Sequence, residues 1–274
     1  MPGTVLPRAL LPALLLASAP AAAQAPAYAR TPGDTLHYRQ ATQATVRIQG
    51  RPGHAEQTQR ARITLAFTGG DTARAWYGGL DVRSKHGAAY ESLEIPGSEM
   101  RGGFVLAVSP TGRVRTLRTP VLPPPLDMEL DSVLVWQFVD FLPVLPEVPL
   151  RPGVEWTDAD SVDLARGRWR RTTRYRVVRD TVVDGVAAAV VETESRLAMR
   201  HTSEIDEELS IRTELEGTER GRFVFALAPG LLLRRERSGT LSGTETSLLE
   251  GDPPRPARQT REYTSVIELL PSAP

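Results

Sequence analysis

The 274-residue chain is 41% hydrophobic and carries 33 basic and 33 acidic side chains, which gives a formal net charge of zero. This balance excludes a polyanion binder driven by bulk charge, and the hydrophobic content argues against a largely disordered chain. Because the chain has no cysteine, disulfides, thiolate metal sites and cysteine nucleophiles are excluded as well.

The first 23 residues have the features of a secretory signal peptide. Arg8 supplies a positive charge, an apolar run spans residues 9–22, and three alanines precede Gln24, as signal peptidase requires. An N-terminal membrane anchor is the alternative, but the run contains prolines and is shorter than the roughly 20 residues of a spanning helix. We therefore predict an exported protein, periplasmic or extracellular, with no transmembrane span after signal removal.

Residues 24–122 are predicted to form a first β unit. Apolar residues alternate with polar ones from Ala61 to Phe67, the period of a strand with one buried face. Residues 104–108 repeat this alternation and run into the turn-forming residues 110–112.

Residues 123–152 are predicted to connect two halves of the chain. Apolar residues at Leu130, Leu134, Phe138 and Phe141 have helical spacing, so we predict a helix over 128–142. Because this helix is apolar nearly all round, we expect it to be buried. A proline-rich linker follows it.

Residues 153–274 are predicted to form a second β unit. Asp184-Gly185 lies between two valine-rich runs and predicts a hairpin turn. From Arg168 to Val177, most arginines fall on one strand face, and Trp169 and Tyr175 fall on the other.

Two ten-residue segments, 101–110 and 220–229, share six identical residues at an offset of 119. This similarity predicts an internal duplication, with two similar antiparallel, curved and half-barrel-like sheet units in a mostly β protein. The alternative is that both segments are common strand–turn sequences.

The four histidines, His37, His54, His86 and His201, show no metal-binding spacing, and nucleophile-elbow, phosphate-loop and zinc-protease motifs are absent. We therefore predict no catalytic residue, no metal and no cofactor. A hydrolase with a dispersed site stays as an alternative, and His201 is the residue whose loss would test it.

Two sets of side chains are candidate binding residues. A basic stripe could hold the phosphates of an envelope lipid, although cross-strand pairing with Glu192 and Glu194 is the favoured alternative. Nucleic acid is not expected, because the aromatic residues face away from the stripe. Aromatic residues could line an apolar cavity, although core packing is the alternative. The stripe comprises Arg168, Arg170, Arg174 and Arg176, and the aromatic set comprises Trp76, Trp136, Phe138, Trp156 and Tyr175.

The strand–turn–strand of residues 174–191 and the run Gly153-Val154-Glu155-Trp156 resemble uncharacterised exported bacterial proteins with tandem β units. More distantly they resemble the LolA/LolB-like half-barrels that carry lipoproteins. That resemblance implies a curved sheet around an apolar cavity with a helical cover, here residues 128–142. The chain departs from the carriers in having two predicted units and one helix, and the resemblance supplies no catalytic residue.

These observations favour an exported envelope protein that binds a lipid or another apolar ligand without catalysis. A structural or protein-interaction module of the envelope is the alternative. A filled interior with an exposed strand edge would favour that alternative, whereas an open cavity would favour lipid binding.

Overall fold

A computed structural model describes residues 24–29, 31–51, 53–86, 89–96, 103–120, 138–164, 166–204 and 208–271. The predicted signal peptide and Trp136 lie outside these residues. The strands within them are β1 (Thr35–Ile48), β2 (Ala55–Gly69), β3 (Thr72–His86), β4 (Ala89–Pro96), β5 (Phe104–Val108), β6 (Val114–Arg118), β7 (Glu155–Leu164), β8 (Gly167–Val183), β9 (Val186–Glu204), β10 (Leu209–Ala226), β11 (Leu231–Leu249) and β12 (Arg255–Leu269).

All twelve strands belong to one antiparallel sheet in the order β6-β5-β3-β2-β1-β12-β11-β10-β9-β8-β7, and β4 pairs with β3 beside β5. The mostly β prediction is confirmed. The prediction of two separate sheet units is wrong, because β1 pairs with β12 along its length, from Tyr38 opposite Leu269 to Ile48 opposite Gln259. This pairing satisfies the backbone groups of both strands and joins β1–β6 to β7–β12.

The buried connecting helix is not found in the described part of its predicted range. Residues 128–137 lie outside the described residues, and of residues 138–142 only Phe138 and Val139 are helical. Pro143 and the prolines after it have no amide donor for a continuing helix. No helix in the described residues is long and apolar enough to cross a membrane.

The sheet curls around a single main core. Inner-face side chains from strands near both ends of the sheet, including Phe104 of β5 and Val177 of β8, belong to the same buried cluster. Phe138 and Phe141 also belong to this cluster. The ring centroid of Phe138 lies 4.6 Å from that of Phe104, and the ring centroid of Phe141 lies 5.0 Å from that of Tyr38. The space enclosed by the sheet around this cluster is therefore packed with side chains.

Inner-face glycines allow the sheet to curl. A Cβ on Gly217 would overlap the carbonyl oxygen of Thr240, and one on Gly243 would overlap that of Glu214. Neither glycine has a positive φ, so close approach of neighbouring strands explains them. Glycine allows such tight bends because it has no side chain.

The predicted hairpin turn at residues 184–185 is confirmed. Asp184 and Gly185 have φ of +48° and +80°, as a type I′ turn requires, and Val183 pairs with Val186.

Residues 27–29, here called the strap, lie between the turns that follow the two similar ten-residue segments. The Tyr28 amide donates to the carbonyl of Pro110 at 2.8 Å, and the Ala29 amide donates to that of Gly230 at 2.9 Å. The Tyr28 hydroxyl donates to the carbonyl of Pro143 at 2.9 Å. Similar segments thus hold opposite sides of one strap, while their origin by duplication stays a prediction.

Candidate functional site

The predicted aromatic set lies mostly inside the packed core. Trp156 stacks on Tyr175 with ring centroids 4.9 Å apart, and its indole nitrogen donates to the carbonyl of Val144 at 2.9 Å. Phe138 packs against Tyr77 at 5.2 Å. Trp76 is 37% exposed and does not join them. Ligand binding by this set stays a prediction.

The basic stripe points outward from β8, as the alternation predicts: Arg168, Arg170, Arg174 and Arg176 are exposed. Arg168 pairs with Asp163 at 2.6 Å, Arg174 with Glu155 at 2.7 Å and Arg176 with Glu192 at 3.9 Å.

Carboxylates on the neighbouring strands interact with the arginines of the stripe. A hydrogen bond from Arg174 lowers the pKa of Glu155. Arg174 lies opposite Glu194 in the pairing of β8 with β9, and Arg176 lies opposite Glu192, so the expected cross-strand arrangement is present. Arg170 lies opposite Ala198 and Ser161 instead. Anion binding by the stripe stays a prediction.

The sequence reasoning missed a cluster of buried charges on the inner face, here called the interior ion cluster: Asp140, Arg171, Glu219, Arg235 and Arg237. Arg171 contacts both carboxylates. Arg235 and Arg237 also contact Asp140, Arg235 at 3.3 Å. Each of these side chains is less than 10% exposed.

The interior ion cluster shifts the pKa values of Glu219, Arg171 and Arg235. Burial favours the neutral form of Glu219, but Arg237, Arg171 and Arg235 outweigh that effect and hold the pKa of Glu219 at about 2. Burial lowers the pKa of Arg171 and of Arg235 to about 10, so all three groups stay charged at neutral pH. A carboxylate ionised in this way is a poor proton donor near pH 7.

The chemistry of the interior ion cluster is therefore to hold chain segments together. Arg235 donates to the carbonyl of Phe141 at 3.3 Å and to that of Asp140, and Tyr263 donates to Glu219 at 2.7 Å. The cluster thus binds the segment after residue 138 to β8, β10, β11 and β12. Within the described ranges no group of His, Asp or Glu side chains is arranged to hold a metal ion.

A second feature lies where the two ends of the curled sheet approach each other, between β6 and β7. A groove of about 580 Å³ follows this line, and we call it the seam. Val114 and Thr116 line it from β6, Asp160 and Val162 line it from β7, and Val139 lines it as well. Arg113 forms an ion pair with Asp158 across it.

Within the described residues, each of the two strands at the seam has one unpaired edge. In the described part of the chain β6 pairs only with β5, and β7 pairs only with β8. Eleven antiparallel strands lie on the path from β6 to β7, so these two strands run in the same direction. The Thr116 hydroxyl oxygen at the seam is buried, and no described residue forms a hydrogen bond with it.

No protein-family model matches the chain, and no curated protein matches it. Two solved structures match the chain at low TM-score. One is an outer membrane channel from Pseudomonas putida F1, with a TM-score of 0.26, 10% identity, and coverage of 89% of this chain and 97% of that chain. The other is Pseudomonas aeruginosa OpdQ, with a TM-score of 0.19, 9% identity, and coverage of 88% and 100%.

These TM-scores are too low to support an argument about fold or function. Neither of these two structures is described as a LolA/LolB-like carrier. The seam and the charged surfaces are therefore interpreted from their own geometry.

Proposed function

We propose that this protein is an exported, non-catalytic envelope protein that binds an extended segment of another polypeptide in the seam. The observation that supports this proposal is that β6 and β7, each with an edge that no described residue pairs, run in the same direction on either side of one groove. Strand addition at a free sheet edge is a common mode of peptide recognition.

The directions of β6 and β7 determine how a bound segment would be oriented between them. A free edge presents backbone amide and carbonyl groups that need partners. Because β6 and β7 are parallel to each other, one strand can lie antiparallel to both and bond to both edges. Neighbouring strands lie about 4.8 Å apart, so such a strand needs a gap of about twice that width.

The side chains that line the seam favour one type of partner sequence. Inward side chains of the added strand would meet Val114, Val139 and Val162, which are half-buried. Outward side chains would face solvent. The partner is therefore an extended segment that alternates small apolar residues with polar ones, and a hydroxyl or amide near Thr116 would satisfy its buried oxygen.

Site-specific photo-crosslinking tests the proposal. A photo-reactive residue replaces Ser161 at the seam, and the control replaces Thr172, an exposed residue of β8 outside it. We expect polypeptide adducts in the envelope from position 161 and none from position 172. Lipid adducts at position 161, or equal polypeptide adducts at both positions, would contradict the proposal and favour an apolar ligand or nonspecific contact.

Hydrogen exchange supplies a second test with a defined probe. A ten-residue peptide of alternating valine and threonine, matched to the length of β7, should slow exchange at the edge amides of β6 and β7. Val162→Lys introduces a charge at the edge and should abolish this protection. Val182→Lys, at a valine 67% exposed beside the β8–β9 turn, should leave it intact. Edge amides already protected without peptide would show that the seam is not free.

A further inference from the structure

A groove of about 830 Å³ lies on the outer face of the sheet, across β3, β2, β1, β12 and β11. Four arginines border it, and we call it the arginine groove: Arg39, Arg60, Arg62 and Arg234. Three carboxylates, Asp81, Glu94 and Glu268, also line it. Asp81 is bound by Arg83 at 3.1 Å, so the positive charge around the groove exceeds the negative charge.

Strand register places two of these arginines directly opposite each other. Arg39 of β1 pairs with Arg62 of β2, and like charges at such positions destabilise a sheet. The same juxtaposition occurs between Arg168 and Arg200, but there each arginine has its own carboxylate, at 2.6 Å and 3.1 Å respectively. The pair in the groove is not neutralised in this way.

The carboxylate near that pair is already shared. Glu268 accepts from Arg39 at 2.6 Å through one oxygen and from Arg234 at 3.0 Å through the other. Arg234 also contacts Glu236 at 2.7 Å. Within the described residues, Arg60 and Arg62 form no ion pair of their own. Their guanidinium donors are therefore available to a ligand.

The floor of the groove leaves space above the backbone. Ala41, Gly79 and Val266 lie there without long side chains. Gly79 has no positive φ, and no atom lies within 4 Å of the position its Cβ would occupy. Neither the backbone conformation nor packing therefore requires glycine at this position.

We propose that the arginine groove binds a multivalent oxyanion, such as a molecule with several phosphate groups. Guanidinium groups bind phosphate oxygens through two parallel hydrogen bonds, and an anion would relieve the repulsion between Arg39 and Arg62. The groove lies on the outer face, away from the seam, so this inference does not depend on the proposed function.

Calorimetric titration with tripolyphosphate at low ionic strength tests the proposal. Arg60→Gln/Arg62→Gln should weaken binding by at least about tenfold, because it removes two charged donors. Arg74→Gln/Arg196→Gln is the matched control: both are exposed outer-face arginines that lie outside the groove and the basic stripe and form no ion pair within the described residues. Added salt should weaken wild-type binding, since exposed charges are screened. No wild-type binding, or an equal loss in both variants, would overturn the proposal.

Two further measurements separate ligand sources and a structural role. Vesicles with phosphatidylglycerol and vesicles of phosphatidylcholine alone show whether the anion is a lipid headgroup: selective binding to the former assigns a membrane source, whereas binding of tripolyphosphate alone assigns a soluble one. Without ligand, Arg62→Gln should keep or raise the Tm, because it removes a like-charge contact. A lowered Tm would indicate that Arg62 serves the fold and would contradict a binding role.

Discussion

Arg170 and Arg171 are consecutive residues of β8, yet Arg170 faces solvent and Arg171 is enclosed by Asp140 and Glu219. The alternation of a strand explains the difference, because successive side chains point to opposite faces. Arg171 therefore occupies the apolar face that holds Trp169 and Tyr175. A buried charge of this kind requires partners, since an unpaired one is very costly.

A substitution of Glu219 tests whether the interior ion cluster stabilises the fold. Glu219→Gln should lower the free energy of unfolding by about 3–5 kcal/mol, because it leaves buried guanidinium groups without a carboxylate. Urea denaturation measures the loss. Glu216→Gln, at an exposed position of the same strand, is the control and should change stability by less than about 0.5 kcal/mol. Equal stability of wild type and Glu219→Gln would show that the interior ion cluster does not stabilise the fold.

The same residue predicts a dependence on pH. The pKa of Glu219 is lowered in the folded protein from 4.5 to about 2, so its ionised form favours folding. This contribution is complete above the unfolded pKa and is lost as the pH falls from about 4.5 towards 2. Unfolding curves across this range should show a smaller pH dependence in Glu219→Gln than in wild type. An unchanged dependence would contradict the assignment.

At the scale of single elements, glycines on the inner face, such as Gly217 and Gly243, allow the strands to curve. Alternation of apolar and polar residues predicted strand faces correctly, because burial of one face depends on period alone. The connecting segment was harder, since its apolar spacing suits a helix while its prolines end one at residue 143. The described part of that segment is buried through Phe141 and Leu145 and is not helical beyond Val139.

Glycine substitution tests the account of curvature. Gly217→Ala should destabilise the protein by about 1–3 kcal/mol, because the added methyl group overlaps the backbone of β11. Gly79→Ala is the matched control, since open space surrounds its Cβ position, and it should be neutral or slightly stabilising. Thermal unfolding of the two variants compares them directly. If Gly217→Ala were as stable as Gly79→Ala, strand proximity would not be what requires glycine at position 217.

At the scale of the molecule, the pairing of β1 with β12 joins two runs of strands into one sheet, and the strap bonds to a turn in each run. Local patterns identified the strands, the β8–β9 turn and two similar segments. They could not predict that the first strand pairs with the last, because partners such as Tyr38 and Leu269 share no local signal. The interior ion cluster was missed for the same reason: Asp140, Arg171 and Glu219 come from distant parts of the chain.

The strap makes a prediction for the whole molecule. Tyr28→Ala should lower the free energy of unfolding by about 3–5 kcal/mol, because it leaves a cavity between the turns at Pro110 and Gly230. Tyr28→Phe should cost only about 0.5–1.5 kcal/mol, since it removes a single hydrogen bond to Pro143. Urea denaturation distinguishes the two. Wild-type stability in Tyr28→Ala would show that the strap does not link the two halves.

The pairing of β1 with β12 also determines when the sheet can form during synthesis of the chain. The centre of the sheet cannot assemble until the ribosome has made β12, so the residues of β1 wait for partners more than 200 positions later. Contacts so remote along the chain slow assembly and prolong exposure of unpaired edges to aggregation. A cell producing this protein gains from holding the nascent chain unfolded until synthesis is complete.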